Sequence, residues 1–310
     1  MDVSIKMTHS SKGYLIAAIG ILFWSTTGIF IGALTRDHNL PALLLALWRD
    51  GLVFAALLVV LLIFKRGTLR VAWRDLPFFL FFGFILSIFN SIWTVSVSLN
   101  GAAVATVLAY GSAGFTVLLA WPIFGEKPGW AKAAAVALSL SGCVLVANAL
   151  DAGVWQVNPL GIASGLLSGL AFSAYSLMGK QAARRGFDPW LVMLLSFGCA
   201  ALFLFAYNLL GGTQPAGLMP VLNRSGWSLL VVLAVIPTVL GYGLYNTAMN
   251  FLPAGNVNLL ATSEPLLTAI LAYFILGEQL GAQQIFGGIL IVLAVVMVRL
   301  GEKDPETEMI

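Results

Sequence analysis

Residues 261–278 read ATSEPLLTAILAYFILGE, and residues 109–126 read AYGSAGFTVLLAWPIFGE. Set side by side at one fixed offset, seven of their eighteen positions are identical, and Trp121 faces Tyr273 among the similar ones. Both stretches end in Gly-Glu, pass through a short link and enter another apolar run. Apolar composition produces some chance identities, so the shared ending carries most of the weight. The first and sixth apolar runs pair more weakly: Gly20, Phe23 and Thr27 match Gly169, Phe172 and Ser176. The chain therefore reads as two related halves, residues 1–150 and 151–310.

Composition fixes the medium around these halves. Sixty per cent of the 310 residues are hydrophobic and 9% are charged. A soluble globular protein carries roughly 25% charged residues, so this chain lacks the polar surface to keep a compact body in water. Mean hydropathy is +0.96. Apolar stretches of about 20 residues, the length of a bilayer-crossing helix, recur down the whole chain. The pattern predicts ten spans, at roughly 13–34, 41–64, 76–98, 102–124, 129–148, 158–180, 188–210, 226–250, 255–276 and 280–299. LNGA (99–102) and FLPAG (251–255) read as tight turns between neighbouring helices. The first run is long and lacks a small-residue cleavage site, so it reads as a span rather than a removed signal peptide. Cys143 and Cys199 fall inside spans and read as buried thiols rather than a disulfide.

Charge placement orients the spans. With the N-terminus inside, the cytoplasmic segments hold thirteen basic residues, among them Lys65, Arg66, Arg74, Lys127, Arg184 and Arg185, and the outer links hold only Arg36 and Arg224. That asymmetry follows the positive-inside rule and places both termini in the cytoplasm. Five spans per half is an odd number, so the second half enters the membrane from the opposite side. Inverted repeats of this kind are common in secondary transporters, with the solute site between the halves near the midplane. The fold expected is an all-α integral membrane protein: ten transmembrane helices in two inverted five-helix repeats around a central cavity.

Several stretches also resemble a known family. ILFWSTTGIF, the WRDG of the second span, SEPLLTAILAYFILGE and the following GGILIVLAVVMV are similar to the drug/metabolite transporter superfamily, EamA branch. The resemblance covers the whole chain, and its most specific part is Glu-Pro followed eleven residues later by Gly-Glu. The nearest likeness is to YddG-type bacterial exporters of aromatic and other amino acids. The resemblance implies a ten-helix bundle in the bacterial inner membrane that exports small metabolites. The first half departs from the pattern, having Ser112-Ala113 where the second has Glu-Pro.

The solute path is read from helical stripes. Asn90, Trp93, Thr94 and Val97 share one face of the third span. The repeat offset carries them to Tyr242, Tyr245, Asn246 and Met249 on the eighth. Lipid offers an amide no partner, so Asn90 and Asn246 should face inward. Either the two stripes line one cavity or they join helices to one another. Tyr110, Ser112, Thr262, Ser263, Trp24, Ser25, Thr26, Phe172, Tyr175 and Ser176 extend the same lining, and aromatic walls with a few polar groups suit a small organic solute. Trp73, Trp121, Trp130, Trp155, Trp190 and Trp227 lie near span ends and read as interfacial anchors. Gly161, Gly165 and Gly169, and separately Ala102, Ala105, Ala109 and Ala113, form small-residue stripes for close helix approach. Pro122, Pro237 and Pro265 should bend their spans.

Span interiors hold only three charged residues, Arg49, Asp50 and Glu264. Such residues usually face the interior and are paired. Arg49 and Asp50 leave their helix about 100° apart and so should not simply neutralise each other. Both Arg49 and Glu264 sit near mid-depth, which makes a contact between them geometrically open. Arg49 reads either as a structural clip or as a donor to a solute carboxylate. Glu264 reads either as part of a helix bend or as a carrier of a proton or partner of an ammonium group.

An intramembrane enzyme would need a nucleophile, base or metal. His9 and His38 are the only histidines and lie outside the spans, so no catalytic set, cofactor or metal site is expected. The basic residues are accounted for by topology, so nucleic acid is not an expected partner. The partners expected are the lipid bilayer and a small-molecule solute. Aromatic stripes suit amino acids and equally suit organic cations. Asp50 and Glu264 favour a drug or organic-cation exporter, and Arg49 disfavours one.

Overall fold

The computed structural model describes residues 9–69, 71–127, 129–147, 149–151, 159–211, 214–276 and 281–300. Trp155, the Gly277-Glu278 link, and the side chains of Val97, Ala102 and Tyr273 lie outside the described residues. Among those described there is no strand. The helices are α1 (His9–Trp24), α2 (Thr27–Arg36), α3 (Ala42–Phe64), α4 (Leu76–Ala109), α5 (Ser112–Phe124), α6 (Trp130–Val146) and α7 (Pro159–Arg184). They continue with α8 (Pro189–Leu210), α9 (Arg224–Leu233), α10 (Gly241–Ala248), α11 (Ala254–Ala261), α12 (Glu264–Leu276) and α13 (Ala282–Leu300). Seven helical stretches are long and apolar enough to cross a membrane, and Trp130–Val146 and Ala282–Val298 are shorter apolar helices. Phe81, Leu118, Leu202 and Phe274 are among many large apolar side chains on the outside of the bundle. Water would not tolerate that surface and lipid does: this is a multi-pass membrane protein.

α4 is helically bonded throughout, yet it does not run straight. A Cβ built on Gly165 would stand 2.8 Å from Ser96 Oγ and 2.8 Å from Leu108 Cβ. A straight helix would hold Ser96 and Leu108 about 18 Å apart. The chain therefore reverses between Ser96 and Ala105. The tight turn expected at LNGA is a bend within helical backbone instead of a non-helical link, because backbone groups that keep helical bonds need no other partners.

Contacts along the elements fix their directions. Leu43, Phe54 and Lys65 of the second span meet Asn208, Gly198 and Asp188 in turn, so α3 and α8 are antiparallel. Phe78 meets Phe187 and Phe84 meets Phe203, so the first part of α4 runs with α8. Gly13 packs on Leu252 and Gly20 on Leu244, so α1 opposes α10. Gly142 and Gly287 bring α6 and α13 together, each within 2.8 Å of the other's carbonyl if given a Cβ. The two small-residue stripes meet as well: a Cβ on Gly169 would stand 2.9 Å from the Ala109 carbonyl. One end of the bundle thus carries His38, Trp48 and Trp227, and the other carries Lys65, Gly125, Gly186 and Asp188.

Local chemistry sets the ends and interruptions. Asp188 caps α8 by accepting from the Trp190 and Leu191 N–H groups, with Pro189 at the first helical position. Gly125 (φ 74°) ends α5 in the left-handed conformation. Pro237 has no N–H for the Leu233 carbonyl, so Thr238 Oγ1 takes that acceptor at 2.7 Å and residues Ala234–Leu240 form a π-helical turn. Pro265 bends nothing itself. It occupies the second position of α12, where its missing donor is not needed, and the break lies just before it at Thr262-Ser263. Trp190 and Trp227 are half-buried: Trp190 lies on Gly243, whose missing side chain makes the room, and Trp227 meets Trp48 edge-on. Trp73, Trp121 and Trp130 are exposed.

Candidate functional site

The interrupted helices converge near the middle of the bundle. α1 stops at Trp24, and Ser25 and Thr26 turn their hydroxyls back onto the Leu22 and Phe23 carbonyls, each at 2.7 Å. The freed Ser25 carbonyl accepts from Thr268 Oγ1 of α12 at 3.0 Å. The α4–α5 break and the α11–α12 break are alike: Gly111 N–H donates to the Leu108 carbonyl at 3.1 Å, and Ser263 N–H to the Leu260 carbonyl at 3.0 Å. At the second break Thr262 Oγ1 donates to the Leu259 carbonyl, so the Ser139 hydroxyl must donate to Thr262. Glu264 opens α12, and its carboxylate accepts from the Tyr110 hydroxyl. Glu264 and Tyr110 therefore join the two breaks.

Arg49 and Asp50 correct the expectation from helix geometry. Arg49 Nε donates to Asp50 Oδ1 at 3.0 Å, and both residues are buried. The backbone directions do differ by a quarter turn or so, but a long arginine stem can curl back to its neighbour. Asp50 Oδ2 accepts from Asn90 Nδ2 at 2.8 Å, which ties α3 to α4. The ion-pair partner of Arg49 is thus Asp50, not Glu264. Arg49 Nη2 is buried without a hydrogen-bond partner.

The expected lining residues fall into two groups. Asn90, Trp93, Thr94 and Arg49, with Ile31, Thr35 and Leu45, line a narrow pocket of about 20 Å³ on the His38 side. Trp24, Phe172, Tyr175, Tyr242 and Tyr245 instead pack on one another. Trp24 lies 4.4 Å from Tyr242, 5.4 Å from Tyr245 and 5.6 Å from Phe172 between ring centroids. Phe172 stacks on Tyr175 at 5.9 Å, and Phe82, Phe89 and Phe197 extend the cluster. Asn246 Nδ2 donates to the Tyr175 hydroxyl at 2.9 Å, while Asn246 Oδ1 is buried without a partner. Asn246 also borders a crevice too tight for a water molecule, with Gly179, Phe187 and Asn250, toward the Lys65 end. A closed aromatic core thus lies between a narrow pocket on one side and a tight crevice on the other.

One residue of this core escaped the stripe argument. Asn258 Oδ1 accepts from Ser112 Oγ at 3.0 Å, and its Nδ2 donates to Thr116 Oγ1 at 3.0 Å and to Ser176 Oγ at 2.9 Å. The Ser176 hydroxyl donates to the Phe172 carbonyl, so the Tyr245 hydroxyl must donate to Ser176, 2.7 Å away. Asn258 so ties α5, α7 and α11 behind the aromatic rings. The rule that turned Asn90 and Asn246 inward applies equally to Asn258 and would have found it.

Broken helices around polar groups at mid-depth are how membrane proteins build solute sites. The model of the EamA-like transporter family matches this chain twice, over residues 11–148 and 159–300. The chain belongs to the EamA-like transporter family. Its similarity to other EamA-like proteins is spread along its length. It is 24% identical to "Uncharacterized transporter YwfM" of Bacillus subtilis (strain 168), over 94% of this chain and 95% of that protein. It is 24% identical to "Uncharacterized inner membrane transporter YicL" of Salmonella typhimurium (strain LT2), over 96% and 98%. It is also 24% identical to the "Probable amino-acid metabolite efflux pump" of Escherichia coli (strain K12), over 91% and 93%. A solved crystal structure shares the fold with a TM-score of 0.78 at 20% identity, covering 94% of this chain and 99% of that one.

Proposed function

We propose that this protein is a secondary transporter that exports small organic metabolites, foremost aromatic and other neutral amino acids, across the bacterial inner membrane by alternating access. The observation that carries the reading is the closed core of Trp24, Phe172, Tyr175, Tyr242 and Tyr245, with a narrow pocket on the His38 side and a tight crevice on the Lys65 side. A solute held by such a core can be open to one side at a time, and its rings suit an aromatic side chain. The named efflux pump relative and the YddG-type resemblance support export of amino acids.

In this reading the chain makes ten crossings as two inverted halves, residues 1–150 and 151–310, with both termini and the Lys65 end in the cytoplasm. Three features support the duplication. One shift carries α5 onto α12 at both ends, Ser112 to Glu264 and Phe124 to Leu276, and the start of α6 onto the start of α13. The Gly111–Leu108 and Ser263–Leu260 bonds obey the same shift. The packing is reciprocal too: α3 lies on α8, α5 on α11 and α6 on α13, while α1 lies on α10 as α4 lies on α7.

The second reading is a broad drug or organic-cation exporter. Glu264 favours it, because its carboxylate rests on a tyrosine and not on a cation. One liposome preparation loaded in turn with labelled phenylalanine, labelled methionine and a quaternary ammonium dye separates the two. Amino-acid flux without dye flux is expected, and dye flux alone would reverse the choice.

A further inference from the structure

Asp50 accounts for only part of Arg49. The guanidinium gives Nε to Asp50 and keeps Nη2 buried and unpartnered. A buried N–H that has lost water and gained no acceptor is costly. Asp50 Oδ2 accepts from the Asn90 amide instead and makes no bond to Nη2. Arg49, Asn90, Trp93 and Thr94 form one stretch of the wall of the pocket toward the His38 end. In this closed arrangement the pocket is about 20 Å³, room for a single water molecule, so a solute group reaches Arg49 only when the wall opens during transport. Asp50 already balances the arginine charge, so long-range attraction of an anion is weak here. What remains is a directional, charge-assisted donor, and its best acceptor is a carboxylate oxygen. Trp93 beside it offers an apolar face to whatever the carboxylate is attached to.

We infer that Arg49 Nη2 holds the carboxylate of the exported solute in this pocket while Nε stays on Asp50. The inference rests on the amino-acid reading above and adds which group of the solute is recognised and where. Arg49 then has two jobs at once, divided between its nitrogens.

The test uses the full-length protein in liposomes, with labelled phenylalanine as the transported probe and unlabelled phenylalanine or phenylalaninamide as competitors. The amide should compete more weakly than the acid, on the order of tenfold, because it lacks the carboxylate. Arg49→Lys keeps a cation beside Asp50 but loses the planar fork. It should weaken phenylalanine to the level of the amide and leave the amide unchanged. The double variant Arg49→Gln/Asp50→Asn removes both charges together and should do the same. Melting of each variant without solute shows that it is folded, and if both fail to fold the parent's ratio decides alone. Equal competition by acid and amide in the parent, or a ratio that survives in a folded variant, overturns the inference and leaves amino-acid export standing. Failure of labelled phenylalanine to enter at all, with the dye still entering, overturns the amino-acid reading and the carboxylate contact with it.

Discussion

Arg49 and Asp50 show what a residue-scale argument needs. They bond side by side in a buried site, so removing either leaves the other charged and unmatched. Arg49→Ala and Asp50→Ala should each cost about 3–5 kcal/mol. The double alanine variant should cost less than their sum by about 0.5–3 kcal/mol. Thermal denaturation in detergent, run as a double-mutant cycle, measures this, and strict additivity would assign the two residues separate contacts. Asn258→Leu is a second case. It strands the Ser112 hydroxyl, an orphan that costs about 1–3 kcal/mol, while Thr116 keeps its bond to Ser173. A variant that melts like the parent would mean that the Ser112 hydroxyl finds another partner. Both sites expose the limit of spacing arguments. Sequence offsets tell which side chains share a face of one helix, whereas Asp50–Asn90 and Asn258–Ser176 join different helices. The Arg49–Asp50 bond was missed for another reason: Cβ directions were weighed without the reach of the arginine stem.

At the scale of elements, helix contact is governed by what small residues leave room for. A Cβ on Gly169 would meet the Ala109 carbonyl at 2.9 Å and the Leu108 carbonyl at 3.1 Å, and backbone does not step aside as a side chain does. Gly169→Leu should push α7 off the α4–α5 corner and lower stability by at least about 1–3 kcal/mol. Gly51 lies in α3 with nothing within 4 Å of such a Cβ. Gly51→Ala should leave stability equal or raise it by about 0.4–1 kcal/mol, since alanine loses less backbone freedom on folding. Melting midpoints of the two variants form one paired test, and a loss at Gly51 equal to that at Gly169 would contradict the packing. The small-residue stripes were legible because GIASGLLSG carries its own period. The breaks at Ser25-Thr26 and Tyr110-Gly111 were not, since no proline marks either; hydroxyls and 3₁₀-type bonds made them possible. Pro237 and Pro265 mark interruptions in the sequence, but a proline alone does not tell that one widens a helix to a π turn and the other follows a break.

For the whole molecule, the apolar runs were legible because lipid imposes a length and a polarity on every crossing. The corner between Ser96 and Ala105 was legible as a reversal but not as helical backbone. Of the residues expected to line the path, Asn90, Trp93 and Thr94 border a narrow pocket, while Tyr242 and Tyr245 meet other rings. Nothing in one sequence tells an open cavity from rings closed over it. Orientation is the prediction that belongs to this scale. Lys65, Arg66, Arg184 and Arg185 gather at one end, and Arg224 lies at the other. In a background with Cys143→Ala and Cys199→Ala, cysteines near Gly67 and Arg185 should be shielded from an impermeant thiol reagent in intact cells, and one near Gly211 should react. The reverse labelling would defeat both the proposed topology and the proposed inversion.

The closed rings have an electrical consequence. Phe172, Tyr175, Tyr242 and Tyr245 are buried against one another, so the aromatic layer is an insulating part of the wall and takes a share of any transmembrane voltage. Crossing that drop is worth about 2.3 kcal/mol per elementary charge per 100 mV. A zwitterionic amino acid has no net charge, and the Arg49–Asp50 couple beside the layer has none either. An imposed potassium-diffusion potential should therefore leave phenylalanine flux unchanged if the amino acid moves alone. Flux that follows the potential would mean that an ion travels with it, and Glu264, held by a tyrosine hydroxyl at the meeting of two broken helices, is the carboxylate placed to carry that charge.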